Sequence, residues 1–163
     1  MKTLYIMRHG KSSWTTGAEN DFERPLNPRG KEDVPRMGDA LHQRAAHPEL
    51  ILCSPANRAT TTALLLFSSV NFPLCRIRQS ELLYMASLKI LTAIISDLDN
   101  EHNEVLLVGH NPGLTRLINH FLGQRLDNLP TAGIMGLRAE VDDWHAFVPG
   151  IAEELFYISP KTI

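Results

Sequence analysis

Residues 104–110 read EVLLVGH: four apolar side chains in a row, then a glycine and a histidine. A run this short, closed by glycine, predicts a buried central strand. Downstream, Asn111-Pro112 predicts a helix start. Leu114, Leu117, Ile118, Phe121 and Leu122 then recur at helical period until Gly123 stops the helix. Upstream, Ser87 caps a predicted helix whose stripe is Leu88, Leu91, Ile94, Ile95 and Leu98. The same alternation continues toward the N-terminus. Leu4–Met7 and ELILCS (49–54) read as further buried strands, and PLCRIR (73–78) as a strand at the sheet edge. Asn27-Pro28 opens a helix carrying Val34, Met37, Ala40 and Leu41 inward, with a kink or late start expected from Pro35. Ser54-Pro55 opens another, with Ala63, Leu64 and Phe67 on its apolar side, while residues 15–26 read as a loop. Two later β-like runs are GIMGLRAEV and ELFYIS. Strands alternating with helices predict an α/β fold, a three-layer sandwich with a mostly parallel central sheet flanked by helices. Residues 1–163 are expected to form one domain.

Composition narrows the classes of function. Of 163 residues, 44% are hydrophobic and 21% charged, and the net charge is −2. The sequence pI of about 6.4 does not suggest a nucleic-acid binder, although a local basic pocket is compatible with it. No apolar run reaches the roughly 18 residues that span a bilayer, and no signal peptide is legible after Met1-Lys2. Cys53 and Cys75 both lie in short apolar runs and read as reduced, buried thiols of a cytoplasmic protein. A monomer or weak dimer is expected. Whether the exposed loop at 123–133 binds a partner is not legible.

Three predicted strands end alike. The first delivers Arg8, His9 and Gly10; the second delivers Ser54, then Arg58 one turn into a helix; the third delivers Gly109, His110 and Asn111. Ligands of open α/β sheets bind outside the carboxyl ends of the strands. If the strands are parallel neighbours, two arginines, two histidines and two helix N-termini converge. Arginine suits a phosphoryl group because its planar fork donates two hydrogen bonds and stays charged. A neutral imidazole nitrogen can be a nucleophile, and Gly10 would let the backbone approach closely.

On these residues the chain resembles the histidine phosphatase superfamily, the phosphoglycerate-mutase-like phosphatases. MRHGKSSW is similar to the opening RHG motif, SPANRATTTA to the SPxxRAxxTA segment, and GHNPG to the second histidine motif. DFERPLNPRG (21–30) and VGHNPGL (108–114) resemble the SixA-like phosphohistidine phosphatases, which share the lysine at position 11. The resemblance implies a phosphoglycerate-mutase-like fold and no cofactor or metal. It implies Arg8 and Arg58 on the phosphoryl oxygens, His9 as the nucleophile that is phosphorylated, and His110 as a donor to the transferring group. Glu81, in QSELLYM, sits where larger relatives keep a proton donor; a helix-capping or surface carboxylate is the alternative. Thr15 stands where mutase-like members often place a phosphate-contacting asparagine. The substrate-gripping insertion of mutases is absent.

The expected substrate is a phosphorylated protein (phosphohistidine) or a small phosphate ester. Positive neighbours would lower the pKa of His9 and keep it neutral. The rivals are weaker. A cysteine phosphatase needs five residues between cysteine and arginine, but four separate Cys53 from Arg58. The remaining histidines lack zinc-site spacing, and no P-loop occurs. A non-catalytic phosphoprotein-binding module on the same fold should have lost a motif residue, yet Arg8, His9, Arg58 and His110 are all present.

Overall fold

The computed structural model describes residues 1–15, 17–123 and 126–163. Among them six strands form one sheet: β1 (Lys2–Arg8), β2 (Leu50–Cys53), β3 (Ile77–Gln79), β4 (Glu104–Gly109), β5 (Ile134–Ala139) and β6 (Glu153–Ile158). Their order is β3-β2-β4-β1-β5-β6. The four helices are α1 (Pro28–Gln43), α2 (Asn57–Leu66), α3 (Leu88–Ser96) and α4 (Gly113–Leu122). β1 is buried on both faces because its side chains alternate between two cores. Leu4 and Ile6 join Val105, Leu107 and α3–α4 on one face. Tyr5 and Met7 join Leu106, Val108 and α1–α2 on the other. This is the expected three-layer sandwich.

The helix starts follow local chemistry. The side chain of Asn27 accepts from the Gly30 amide and that of Ser87 from the Ile90 amide, so both cap as read from the sequence. Pro35 lies inside α1, which nonetheless runs unbroken over 16 residues and does not start late. α2 begins at Asn57 rather than at Ser54-Pro55, because the Ser54 hydroxyl accepts from the Ala56 amide and holds a bend before the helix. Ala63 and Phe67 are buried as expected, with Ala59 and Leu66 beside them, but Leu64 is 49% exposed. α4 starts after Pro112, and Asn111 Oδ1 accepts from the Thr115 amide at 3.2 Å. Gly123 closes it in the left-handed conformation (φ 62°) that glycine adopts without strain.

Two expectations need amending. The pairs among β3, β2, β4 and β1 are parallel, but β5 pairs antiparallel with β1 and β6 antiparallel with β5, so β5 alone runs against the other strands. After α4 the chain climbs back to the carboxyl end of β1, where Arg8 N donates to Gly133 O, so β5 can only descend. The 123–133 segment is therefore no free loop. Leu129 and Ala132 are buried, and the Ala132 amide donates to Arg8 O and His9 O. Residues 124 and 125 lie outside the described residues, as does residue 16 of the 15–26 loop. Within that loop Asp21–Glu23 forms one 3-10 turn. The 73–78 run splits into a 3-10 turn, Leu74–Arg76, and the start of β3, which does lie at the sheet edge. Cys53 is buried but Cys75 is exposed, because it sits on that turn outside the sheet.

Candidate active site

The parallel registers fix where the site lies. Arg8 pairs with Gly109, and Cys53 with Val108, so β1, β4 and β2 end at one level. The chain continues the ladder one step further: His9 N donates to Gly109 O at 3.1 Å, and Ser54 N to Val108 O at 3.0 Å. The residues that follow these strands therefore meet in one cleft of about 460 Å³ lined by Arg8, His9, Arg58 and His110. The quartet expected to converge does so. The His9 and His110 rings are 5.2 Å apart, and Arg58 Nε donates to His9 Nε2 at 3.3 Å.

The tautomer of His9 follows from one contact. Its Nδ1 lies 2.7 Å from Gly10 O, and a carbonyl oxygen only accepts, so Nδ1 carries the proton and Nε2 presents a lone pair. His9 is 6% exposed, and its pKa is lowered to about 4. Burial is the first cause, with Arg58, Arg8 and Arg24 adding to it. The positive neighbours read from the sequence therefore act second to desolvation. His110 is lowered to about 3, again by burial first and then by His9 and Arg58. Both rings are neutral at physiological pH, so His110 is not a standing cation. His110 Nε2 lies 2.7 Å from Ser54 Oγ, while its Nδ1 is buried without a hydrogen-bond partner among the described residues.

Gly10 serves differently from expectation. A Cβ there would come within 2.8 Å of Val34 Cγ2 on α1, so the glycine lets α1 close on the end of β1. The Gly10 amide donates to Thr62 Oγ1, which donates to Arg58 O, tying the first strand end to α2.

Asp21 and Arg24 also line the cleft, Tyr84 supports Asp21 and His110 from outside its lining, and all three escape a search for strand-end motifs. Asp21 accepts from Arg58 Nη2 at 2.9 Å, and its carbonyl accepts from Nη1 at 2.6 Å. Tyr84 donates to the same Asp21 oxygen at 2.7 Å, and its ring meets His110 edge-on at 5.4 Å. These contacts, Tyr84 first, hold the Asp21 pKa down to about 2. Arg24 lines the cleft as a third arginine, with its guanidinium 3.4 Å above the exposed Trp14 ring and its Nε on Asp21 Oδ1 at 3.1 Å. Asp21 and Arg24 belong to DFERPLNPRG, the stretch whose function the strand pattern does not explain. That so polar a run lies outside any strand or helix pattern was the available signal.

Two candidates stand apart. Glu81 opens a 3-10 turn, is exposed, and is not among the residues lining the cleft. Thr15 is also exposed; its amide donates to Ser13 Oγ at 3.2 Å, and it does not line the cleft. Cys53 ends β2, is buried and does not line the cleft, and burial pushes its thiol up to about 11, so it offers no thiolate at neutral pH. Among the described residues no three His, Cys, Asp or Glu side chains group as metal ligands, and no helix is long and apolar enough to cross a membrane.

The family model for the histidine phosphatase superfamily (branch 1) matches residues 4–83. An uncharacterized protein of Mycobacterium leprae is 31% identical over 140 residues, covering 78% of this chain and 84% of its own. One from Picosynechococcus is 32% identical over 144 residues, covering 83% and 84%. Among solved structures, the protein histidine phosphatase SixA complexed with tungstate superposes with a TM-score of 0.83 at 23% identity, covering 98% of this chain and 97% of that one. The Agrobacterium tumefaciens protein assigned as SixA superposes with a TM-score of 0.83 at 25% identity, covering 98% of each chain. The motifs at three strand ends, the relatives along most of the length and the shared sheet agree: the chain belongs to the histidine phosphatase superfamily, with the architecture of its SixA-like branch.

Proposed function

We propose that this chain is a metal-independent phosphatase that hydrolyses phosphohistidine or phosphate monoesters through a covalent intermediate on His9. The observation that carries the reading is the His9 tautomer: Nδ1–H bound to Gly10 O, and the Nε2 lone pair facing Arg58 beside His110.

The arriving phosphoryl group draws the Arg58 and Arg8 donors onto its equatorial oxygens, and Arg58 releases Nε2. Nε2 attacks phosphorus in line, the bond from phosphorus to the leaving group breaks, and the leaving group departs with that electron pair. The positive charge that grows on the imidazole is shared with Gly10 O through Nδ1–H. Neutral His110 offers one N–H to a phosphoryl oxygen, and its unpartnered Nδ1 is the ring atom left for that bond. Water then attacks phosphorus, the N–P bond breaks and returns its pair to Nε2, and inorganic phosphate leaves with the proton of water. Alkoxide leaving groups leave poorly without a proton; Glu81, exposed and outside the cleft lining, would supply one only to a leaving group that extends past the cleft. Phosphorylated imidazole and aryl phosphates need less help.

A protein-borne phosphohistidine fits the rim. Trp14 and Met85 line the cleft while 79% and 52% exposed, and Phe22 stands exposed against Tyr84. The related SixA, described as a protein histidine phosphatase, carries tungstate, a tetrahedral oxyanion of phosphate's shape. The test is turnover of p-nitrophenyl phosphate and of phosphohistidine proteins, with His9→Ala as control and EDTA present. Turnover that resists EDTA and disappears in His9→Ala supports the proposal. A non-catalytic binding module would bind phosphohistidine without turnover, and a small-molecule phosphomonoesterase would turn over esters only.

A further inference from the structure

Beside the catalytic cleft lies a second recess of about 370 Å³, lined by Arg8, Lys11, Arg29, Asp33, Thr131 and Lys161 among others. It is contiguous with the cleft, because Arg8, Lys11 and Thr131 line both. We propose that this recess binds a second anionic group of the substrate, a phosphate or carboxylate, while the reacting phosphoryl group occupies the cleft. The inference rests on the phosphatase reading above and adds to it a demand for substrates with two anionic groups.

The charge balance of the recess carries the argument. Four cations line it against one carboxylate. That carboxylate, Asp33, is already shared: Arg29 Nε approaches it at 3.5 Å and Arg36 Nη1 at 3.2 Å. Among the described residues Lys11 and Lys161 make no ion pair. Arg8 stands between the two spaces with one described side-chain hydrogen bond, Nη1 to Leu129 O; its Nε is buried, and its Nη2 is neither buried nor bonded among the described residues. A guanidinium with donors left over, flanked by two unpaired ammonium groups, is an arrangement that binds oxyanions.

The topology explains how the cations came together. β6 runs antiparallel to β5 and therefore in the direction of β1, so it ends at Ile158 and delivers Lys161 to the same end of the sheet as Lys11. Gly30 brings the first turn of α1, and with it Arg29, against the backbone of Lys11. The sequence separates these residues by up to 150 positions, and only the mixed sheet unites them.

The test measures binding by calorimetry on the full chain carrying His9→Ala, so that the result does not depend on turnover. The probes are alkanediol bisphosphates of increasing length against alkyl monophosphates of matched length. A second arm compares phosphohistidine peptides flanked by aspartate or by alanine. The bisphosphates, the acidic peptides or both are expected to bind about tenfold tighter than their partners. Arg29→Gln with Lys161→Gln should abolish that preference and, introduced into the chain that keeps His9, leave p-nitrophenyl phosphate turnover unchanged. Preference confined to the bisphosphates identifies a small doubly anionic ester; preference confined to the peptides identifies an acidic phosphoprotein segment. No preference in either arm, or one that survives the double substitution, overturns the proposal. Loss of p-nitrophenyl phosphate turnover in the wild-type chain would instead count against the phosphatase reading alone.

Discussion

The two ends of β1 each hold a long cation, and they hold it in opposite ways. Lys2, 1% exposed, spends its three donors on three acceptors: Asn100 O at 2.7 Å, His102 O at 3.1 Å and Asn103 Oδ1 at 3.0 Å. Its ammonium also lies over the Trp144 ring. At the other end Arg8 makes one described side-chain hydrogen bond and leaves Nε unpartnered. Buried polar groups that serve only the fold are satisfied within it, since an orphaned one costs about 1–3 kcal/mol. The end left unsatisfied is the end where His9, His110 and Arg58 meet. Open valence at one pole of a strand and closure at the other distinguishes the site from its scaffold.

The largest expected effect breaks that contrast directly. Arg8→Met should lower kcat/KM on p-nitrophenyl phosphate by about 10²- to 10³-fold, as for loss of one preorganised donor, and leave thermal stability unchanged. Lys2→Met should do the reverse: about 2–3 kcal/mol lost in denaturant unfolding, with kcat/KM of the folded fraction intact. If Lys2→Met removed activity from folded protein, or Arg8→Met unfolded it, the division between the poles would be wrong.

Asp21 sharpens the comparison, because it is a positioning residue rather than a reacting one. It fixes two Arg58 nitrogens and receives Tyr84. Asp21→Asn keeps the shape but not the charge, and should lower kcat about tenfold with KM little changed, consistent with weakened charge-assisted bonds to Arg58. Asp21→Glu should recover part of the loss. Equal losses in both variants would mark a merely structural role.

Histidine titration is a subtler probe of the same pole. His9 and His110 are held near 4 and near 3, below the ordinary 6.5. Their NMR signals should therefore show no titration between pH 5.5 and 7.5. A histidine kept neutral by folding takes up its proton first in the unfolded chain. Its contribution to stability is full above pH 6.5 and is lost as pH falls through 6.5 toward 4. Midpoints near 6.5 would show solvated rings and remove the case for a preorganised nucleophile.

The smallest expected effect concerns Glu81, which is exposed outside the cleft lining. Glu81→Gln should slow alkyl phosphates by a few-fold and leave aryl phosphates and phosphohistidine unchanged, within the reach of general-acid assistance. Equal slowing of all three would assign it another role.

Much of this was legible in the sequence, for reasons that differ by residue. The strands around EVLLVGH and the stripes of α1, α3 and α4 were readable because burial imposes a period on local sequence. Arg8, His9, Arg58 and His110 were readable because three parallel strands end together, a property each strand announces by itself. The antiparallel turn of β5 was not, since it depends on Leu129 and Ala132 docking beside Arg8 across more than 120 positions. Asp21 and Tyr84 were hidden for the same reason: a 3-10 turn and a loop residue acquire their meaning only when both reach Arg58 and His110. Burial as the main cause of the low His9 pKa also needs the fold, because a sequence shows charges and not solvent exclusion.

The central claim is covalent chemistry at His9 Nε2, and trapping the intermediate tests it most directly. The enzyme is mixed with ³²P-labelled substrate, quenched in alkali, where phosphoramidates persist, and mapped by peptide mass. The expected result is an acid-labile phosphoryl group on the peptide bearing His9, absent in His9→Ala. Turnover without a phosphorylated enzyme, or a label on any other residue, would contradict the account.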